Sequence, residues 1–270
     1  MPTVPGAPHL SNSFGSFLRE TESIDQHGQP RKTLLPCERA LTIRMSGRDL
    51  ITLMTLGASP ELLVLGFLRN QRVIERATDI ESLHVDWSVG VADVKLRAAI
   101  AHASIAEDSR FGLPGATGCG LGSALTGLLP MLPPARLTAS TVLRLLEVMR
   151  QHDAIHRGAG SVHSCALFRG ADLWVAVEDV SRHNGVDTVT GWMAVHGVAG
   201  DDKILFTTGR LTAEMVMKAA YSGIPIMLSR NGTTAKGQEI ASQNGMTLIG
   251  RAANRKFLCY VGGERIDFGL

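Results

Sequence analysis

KILFTTGRLTAEMVMKAAYSGIPIMLSRNGTTAKGQEIASQNGMTLIG, residues 203–250, carries the clearest architectural pattern in the chain. Three short apolar runs, at 203–207, 224–229 and 246–250, alternate with two segments, 212–222 and 234–244, of helical length and pattern. Strands alternating with helices of about ten residues predict an α/β fold with parallel pairing and right-handed crossovers. Upstream, 162–168 and 173–177 read as strands, and a helix from about Asn184 turns Val186, Val189 and Met193 inward. Another helix, from about Thr138, carries Val142, Leu145, Leu146 and Met149 at core spacing.

A smaller unit precedes this one. Strands are expected at 38–46 and 50–56 around the turn Ser46-Gly47-Arg48-Asp49, and again at 79–86 and 90–97. Ser59-Pro60-Glu61 opens a helix between them: Ser59 can cap, Pro60 suits the first helical position and Glu61 favours the positive helix end. Leu62, Leu63, Phe67 and Ile74 share its apolar face. The expected organisation is a disordered tail (1–30), a small α+β region (31–106), a Gly-rich cysteine loop (107–134) and the α/β domain (135–270). No internal repeat is visible.

A net charge of +2 gives no basic surface of the kind that nucleic acid requires. No apolar run approaches the ~20 residues of a membrane span, and the polar N-terminal segment lacks the apolar centre of a signal peptide. The four cysteines (Cys37, Cys119, Cys165 and Cys259) form no CxxC pair. Such usage fits a reducing cytoplasm and not a disulfide scaffold or a structural zinc site.

Ligands of open α/β sheets gather beyond the carboxyl ends of the strands. Three strand ends here carry an arginine: Thr207-Thr208-Gly209-Arg210, Ser229-Arg230-Asn231-Gly232 and Gly250-Arg251. Thr212 can cap the helix after the first, and Thr233 or Thr234 the helix after the second. Each end would offer backbone N–H groups, a positive helix end and a guanidinium to a phosphate or pyrophosphate, with Arg255 and Lys256 adding charge near the third. The alternative is that these arginines are solvated loop charges paired with neighbouring acids. No GxxxxGK[ST] P-loop occurs.

Cys119 stands between Gly118 and Gly120 in a stretch, 107–127, that reads as a mobile loop. No bulky neighbour shields it, backbone N–H groups could stabilise its thiolate, and Arg110 could help. Cys165 and Cys259 sit in apolar strands and read as core; Cys37 is undetermined. The polar run Glu178-Asp179-Val180-Ser181-Arg182-His183-Asn184 follows a strand end and marks either a site or a buried hydrogen-bond network. His163 reads as a strand core histidine. His152 and His156 are spaced i, i+4, but Asp153 replaces the Glu of a zinc-protease helix and no third ligand follows, so no tightly held metal is expected. The zinc deaminase signature is also absent.

Several stretches, in this order, resemble the formate dehydrogenase accessory sulfurtransferase family, FdhD. LGASPELLVLGFLRNQRVI (56–74) is similar to its early helix, TGCG (117–120) to its cysteine loop, and GAGSVHSCAL (158–167) in part to its Gly-Gly-x-His strand. VAVEDVSRHNGVDTVTG (175–191) matches its most specific motif, EDVGRHNAVDK. TTGRLTAEMVMKAAYSGIPIMLSR (207–230) and GMTLIGRAANRKFLCYVGG (245–263) complete a match over roughly 38–263.

The resemblance implies a cytidine-deaminase-like α/β domain with a smaller α+β companion, usually a homodimer, in the cytoplasm. It implies a sulfurtransferase that takes sulfur from a cysteine desulfurase as a persulfide on Cys119. The sulfur passes to the bis(molybdopterin guanine dinucleotide) molybdenum cofactor, bound as substrate, for formate dehydrogenase or another molybdenum oxidoreductase. By position, Arg251, Ala252, Ala253, Asn254, Arg255 and Lys256 match the family's cofactor-binding stretch; Gly209, Arg210, Arg230 and His183 are further candidates, and Asp179 a weaker one with His183 for positioning or proton transfer. The sequence departs from the family where Gly122 replaces the second loop cysteine, Thr188 the usual Lys and Ser181 the usual Gly. A two-cysteine relay within the loop is therefore excluded, although one thiolate suffices to accept a persulfide sulfur. Two alternatives remain: a cofactor-binding chaperone without sulfur transfer, and a nucleotide-binding regulator.

Overall fold

A computed structural model of the chain describes residues 2–10, 17–97 and 129–269. The first of its two main units is a sheet of order β4-β3-β6-β5, formed by β3 (Arg39–Met45), β4 (Arg48–Thr55), β5 (Ile80–Asp86) and β6 (Val91–Leu96). Ser46 (φ 52) and Gly47 (φ 77) both take left-handed backbone, the geometry that suits a tight hairpin between β3 and β4. Helix α1 (Pro60–Asn70) links β4 to β5 and buries Leu63, Val64, Phe67 and Leu68 against this sheet. Pro60 does open the helix, but Ser59 makes no side-chain cap. Ile74 is buried in the same core from beyond the helix end.

The second unit holds a six-stranded sheet of order β13-β12-β11-β10-β8-β9. Its strands are β8 (His163–Arg169), β9 (Asp172–Asp179), β10 (Lys203–Thr207), β11 (Ile226–Ser229), β12 (Thr247–Ala253) and β13 (Lys256–Val261). β10, β11 and β12 are parallel, as the alternating pattern predicts. The flanking pairs β8–β9, β8–β10 and β12–β13 are antiparallel, so the sheet is mixed and not wholly parallel. Two-residue connections make β8–β9 and β12–β13 antiparallel hairpins. The helical crossover from β9 to β10 leaves β10 parallel to β9, and so antiparallel to β8, which lies between them. Helices α4 (Arg182–His196), α5 (Ala213–Tyr221) and α6 (Ala235–Gln243) cover one face, where Val186, Met215 and Ile240 meet Leu167, Leu205 and Met227. Helix α2 (Ala139–His152) covers the other with Val142, Leu145 and Met149 on Phe168, Phe206 and Leu228. Thr138 caps α2 by accepting the N–H of Thr141 at 3.0 Å. Before it, β7 (Leu137–Thr138) pairs with the C-terminal β14 (Ile266–Asp267).

The expectation of a disordered tail fails where the structure describes that segment. β1 (Leu18–Ile24) and β2 (Pro30–Pro36) form an antiparallel ribbon. Val4 donates to the Val195 carbonyl at 2.7 Å, and Ala7 and Leu10 pack on the first core. The two units meet where α1 crosses α4. Most of α4 is buried, polar residues included, and Asn70 of α1 donates to Asp187 Oδ1 (2.7 Å) and Thr190 Oγ1 (2.9 Å). Among the described residues no helix is long and apolar enough to cross a membrane.

Candidate functional site

The pairing Thr207↔Ser229 and Leu228↔Ile249 brings the carboxyl ends of β10, β11 and β12 to one sheet edge. β8 runs the other way, so its first residue, His163, lies at that edge, and so does the end of β9, Asp179. Gly209, Arg210, Arg230, Arg251 and the N-terminus of α4 therefore converge, as the strand-end reading requires.

The backbone there differs from that reading. The Gly209 N–H donates to Thr207 Oγ1 (3.0 Å), Arg230 N–H to the Thr207 carbonyl (3.2 Å) and Asn231 N–H to Ser229 Oγ (2.9 Å). Gly232 N–H donates to Asn231 Oδ1 (2.9 Å) and Arg251 N–H to the Asn231 carbonyl (2.8 Å). These five amides are already bonded to hydroxyl, side-chain amide and carbonyl oxygens of the strand-end loops, so at these positions an anion would be held by side-chain cations. Of the proposed caps, Thr234 accepts the N–H of Gly237 (3.1 Å), whereas Thr212 Oγ1 makes no cap bond.

The arginines are not equivalent. Arg210, Arg251 and Arg255 are exposed and have no carboxylate partner among the described residues. Arg230 instead pairs with Asp153 at 2.7 Å, and Asp153 is 2% exposed. Arg230 thus ties β11 to the end of α2, and the paired-arginine alternative holds for it alone of the three strand ends. In the stretch matched by position, Arg251, Ala253, Asn254, Arg255 and Lys256 are exposed, while Ala252 packs into the core under α2. Arg251 (φ 51), Asn254 (φ 50) and Arg255 (φ 60) take left-handed backbone, which is unusual for residues other than glycine.

Arg182, which the strand-end pattern does not reveal, joins this edge through Gly209. A Cβ on Gly209 would stand 2.6 Å from Arg182 Cβ and 2.8 Å from its Cδ, so the missing side chain makes room for the arginine. The half-buried His163 has its pKa lowered by burial and then by Arg182, His156 and Arg210, which marks the edge as a cationic cluster.

The polar run after β9 is a hydrogen-bond network. Asp179 accepts from Thr55 Oγ1, from the N–H groups of Leu56 (3.2 Å) and Ser181 (3.0 Å), and from Asn184 Nδ2 (2.8 Å). Burial pushes its carboxyl up and these donors pull it back. Through Thr55 and Leu56 of the first unit and Ser181 and Asn184 of the second, Asp179 joins the two units. Glu178 accepts the N–H groups of Ile155 (2.9 Å) and His156 (2.8 Å).

His183 is 2% exposed at the start of α4, and neither ring nitrogen has a hydrogen-bond partner. Its Nδ1 lies 3.5 Å from Glu214 Oε2, but burial, with Lys218, Arg182 and His163 nearby, holds its pKa down to about 3. The imidazole is therefore neutral and this contact is no ion pair. The unfolded chain protonates this histidine below about pH 6.5, the folded chain only near pH 3. The stability it contributes is complete above the unfolded pKa and is lost as the pH falls, by up to about 1.4 kcal/mol per pH unit. His183→Gln is expected to flatten that acid limb in urea titrations between about pH 6 and 4; an unchanged slope would assign the limb to other groups.

Cys165 is fully buried, donates to Thr207 Oγ1 at 3.3 Å, and has its thiol pushed by burial up to about 12. It cannot replace the missing loop cysteine. Cys259, expected in the core, is only half-buried on the edge strand β13, and its Sγ donates to the Val261 carbonyl at 3.1 Å. Cys119, its glycine neighbours, Gly122 and Arg110 lie outside the described residues. His152 and His156 are split by the break between α2 and α3 (Ala154–Ala159), and the described residues contain no cluster of three metal-ligating side chains.

A match to the FdhD/NarQ family spans residues 36–267. The sulfur carrier protein FdhD of Geobacillus kaustophilus is 27% identical over 261 residues, covering 94% of each chain. That of Bacillus licheniformis is 28% identical over 268 residues, covering 96% of this chain and 98% of the relative. The crystal structure of a candidate formate dehydrogenase accessory protein from Desulfotalea psychrophila aligns with a TM-score of 0.75 at 26% identity, covering 92% of this chain and 98% of that one.

Proposed function

The chain belongs to the FdhD/NarQ family, and from that membership we propose that it carries sulfur from a cysteine desulfurase to the bis(molybdopterin guanine dinucleotide) molybdenum cofactor of a formate dehydrogenase or another molybdenum oxidoreductase. The observation that carries the cofactor half of this reading is the sheet edge itself. Arg210, Arg251 and Arg255 are exposed there without carboxylate partners among the described residues, which suits a ligand rich in phosphate. Lys256 adds charge, and Arg182 with Gly209 forms the adjoining wall.

Cys119 carries the sulfur half. Its thiolate attacks the terminal sulfur of the desulfurase persulfide; the new S–S bond forms at Cys119 as the donor's S–S bond breaks, and the donor cysteine leaves as a thiolate. The Cys119 S–S bond then breaks as the terminal sulfur passes to the cofactor, bound as substrate, and Cys119 leaves as a thiolate. An external thiol pair, oxidised to a disulfide, would supply the two electrons that bring the sulfane sulfur to the sulfide level. One cysteine performs the acceptance, since Cys165 is sealed in the core.

Incubation with a desulfurase and cysteine, followed by intact mass measurement, is expected to show an adduct of ~32 Da, one sulfur atom, that disappears in Cys119→Ala. An unchanged wild-type mass, or an adduct that persists in the variant, overturns the sulfur step. Gly122 and the buried Cys165 motivate a second reading, delivery of the cofactor without sulfur transfer. That reading requires Cys119→Ala to restore formate dehydrogenase activity in an accessory-deficient strain, whereas sulfur transfer requires it to fail.

A further inference from the structure

Helix α1 ends in a Schellman turn: Val73 N–H donates to the Leu68 carbonyl at 2.9 Å and Arg72 N–H to the Arg69 carbonyl at 3.0 Å. Arg72 (φ 63) occupies the left-handed position of that turn, the one glycine usually fills because it has no Cβ to crowd the backbone. Backbone outliers of this kind gather where a side chain meets a ligand. The Arg72 guanidinium stands 3.7 Å from the centre of the Tyr221 ring, at the end of α5.

Arg69 is half-buried in the same corner. Its Nε donates to the Glu75 carbonyl at 3.3 Å, and its Nη1 donates across the junction of the two units to Ser222 Oγ at 3.1 Å. Neither arginine has a carboxylate partner among the described residues; Glu75 offers its backbone oxygen and not its side chain. Burial, and then the neighbouring Arg72, lower the Arg69 pKa, so the two guanidiniums are close enough to repel each other. The C-terminal ends of α1 and α5 meet here and oppose that charge, each with about half a negative unit. Two cations against two half charges leave roughly one positive charge unmatched.

We propose that this corner is an oxyanion-binding site, in which Arg69 and Arg72 hold one carboxylate or phosphate group beside the ends of α1 and α5. The Ser222 hydroxyl, which accepts from Arg69, keeps its hydrogen for the same ligand. The site is separate from the sheet edge. α1 starts just after Leu56, which donates to Asp179 at that edge, and its length carries Arg69 about 15 Å from there. Arg69 and Arg72 belong to the first unit, Tyr221 and Ser222 to the second, so an anion held here ties the two together.

Titration of the full chain with inorganic phosphate, followed by heteronuclear NMR of the arginine Nε–H groups, tests it. The Arg69 and Arg72 signals are expected to shift saturably with phosphate and not with matched sodium chloride. The same response is expected in the double variant Arg210→Ala, Arg251→Ala, which removes two cations of the sheet edge. Arg72→Gly is expected to weaken phosphate about tenfold, read from the Arg69 signal, the size of one charge-assisted contact. Its Tm should barely change, because the lost ring contact and the relieved backbone offset each other. Hexaglutamate separates two sources of the same chemistry. A response to phosphate alone supports a small oxyanion as the occupant, and a response to hexaglutamate at lower concentration supports an acidic segment of a partner protein. No saturable response to either overturns the site, and so does Arg72→Gly with an affinity within twofold of wild type. Loss of the response in the sheet-edge double variant overturns it too, since the signals would then report binding elsewhere.

Discussion

Alanine at Gly66 or Gly191 is expected to abolish the folded state. Each glycine sits at the crossing of α1 and α4. A Cβ on Gly66 would stand 1.8 Å from the Asp187 carbonyl oxygen and 2.8 Å from the Gly191 nitrogen. One on Gly191 would stand 2.0 Å from the Leu62 carbonyl oxygen. All of these are backbone atoms of helices, so no rotamer change relieves the clash. The helices must part, and parting them opens the core that α1 builds with the four-stranded sheet. On an exposed helix, Gly→Ala stabilises by about 0.5–1 kcal/mol; the crossing reverses the sign. Overpacking usually costs about 1–3 kcal/mol, and a clash with unyielding backbone belongs to the tail beyond about 4 kcal/mol. Against a total stability of about 5–15 kcal/mol, soluble yield should collapse and any recovered protein should melt far below wild type. A variant with wild-type Tm would show that the helices can separate without loss.

Much of the α/β architecture is legible in the sequence, because each element from 203 to 250 meets its neighbour in the manner its own period suggests. Strands β10 to β12 are apolar at their centres, and β10 and β11 are buried along their whole length. The antiparallel pairs are less visible, since β8 and β9 have the same apolar composition and only the Gly170-Ala171 connection, too short for a crossover, sets their direction. β1 is harder still. Leu-Arg-Glu-Thr-Glu-Ser-Ile belongs to a two-stranded ribbon largely exposed on both sides, so burial imposes no alternation on it. In α4 the inward Val186, Val189 and Met193 show the helix, but Asn184, Asp187, Thr188 and Thr190 are buried too, because a second unit covers the face that a surface helix would turn to water. The site divides similarly. Parallel strands put Arg210 and Arg251 at one edge, a consequence of topology that sequence order carries. That Arg230 meets Asp153, 77 residues away, follows from a tertiary contact with no local signature, whereas the bonds of the Gly209, Asn231 and Gly232 amides to the Thr207, Ser229 and Asn231 side chains are local turns. Cys119 is marked by its glycines alone.

Replacing Lys218 by Met should cost about 3–5 kcal/mol, the range for breaking a buried ion pair from one side. Lys218 of α5 is 1% exposed and donates to Asp187 Oδ2 at 2.7 Å, while Asn70 of α1 donates to Oδ1. Three helices from both units thus converge on one carboxylate. Burial raises the Asp187 pKa, and the Lys218 ammonium and the Asn70 amide oppose that shift. Methionine fills much of the lysine's volume but leaves the carboxylate without its cation, so the carboxyl must take up a proton to remain buried. Its folded pKa then stands further above the unfolded value of about 3.9. For a raised carboxylate, stability is greatest below the unfolded pKa and is lost as the pH rises through the folded pKa. Lys218→Met should therefore be more severe at pH 8 than at pH 5, the reverse of the acid sensitivity expected from His183. Asp187→Asn in the same chain removes the charge but keeps an oxygen for Asn70, and should recover most of the loss. A double variant no more stable than Lys218→Met in urea unfolding would show that the lysine acts by packing alone, since the coupling between the two positions is the quantity that separates charge from volume.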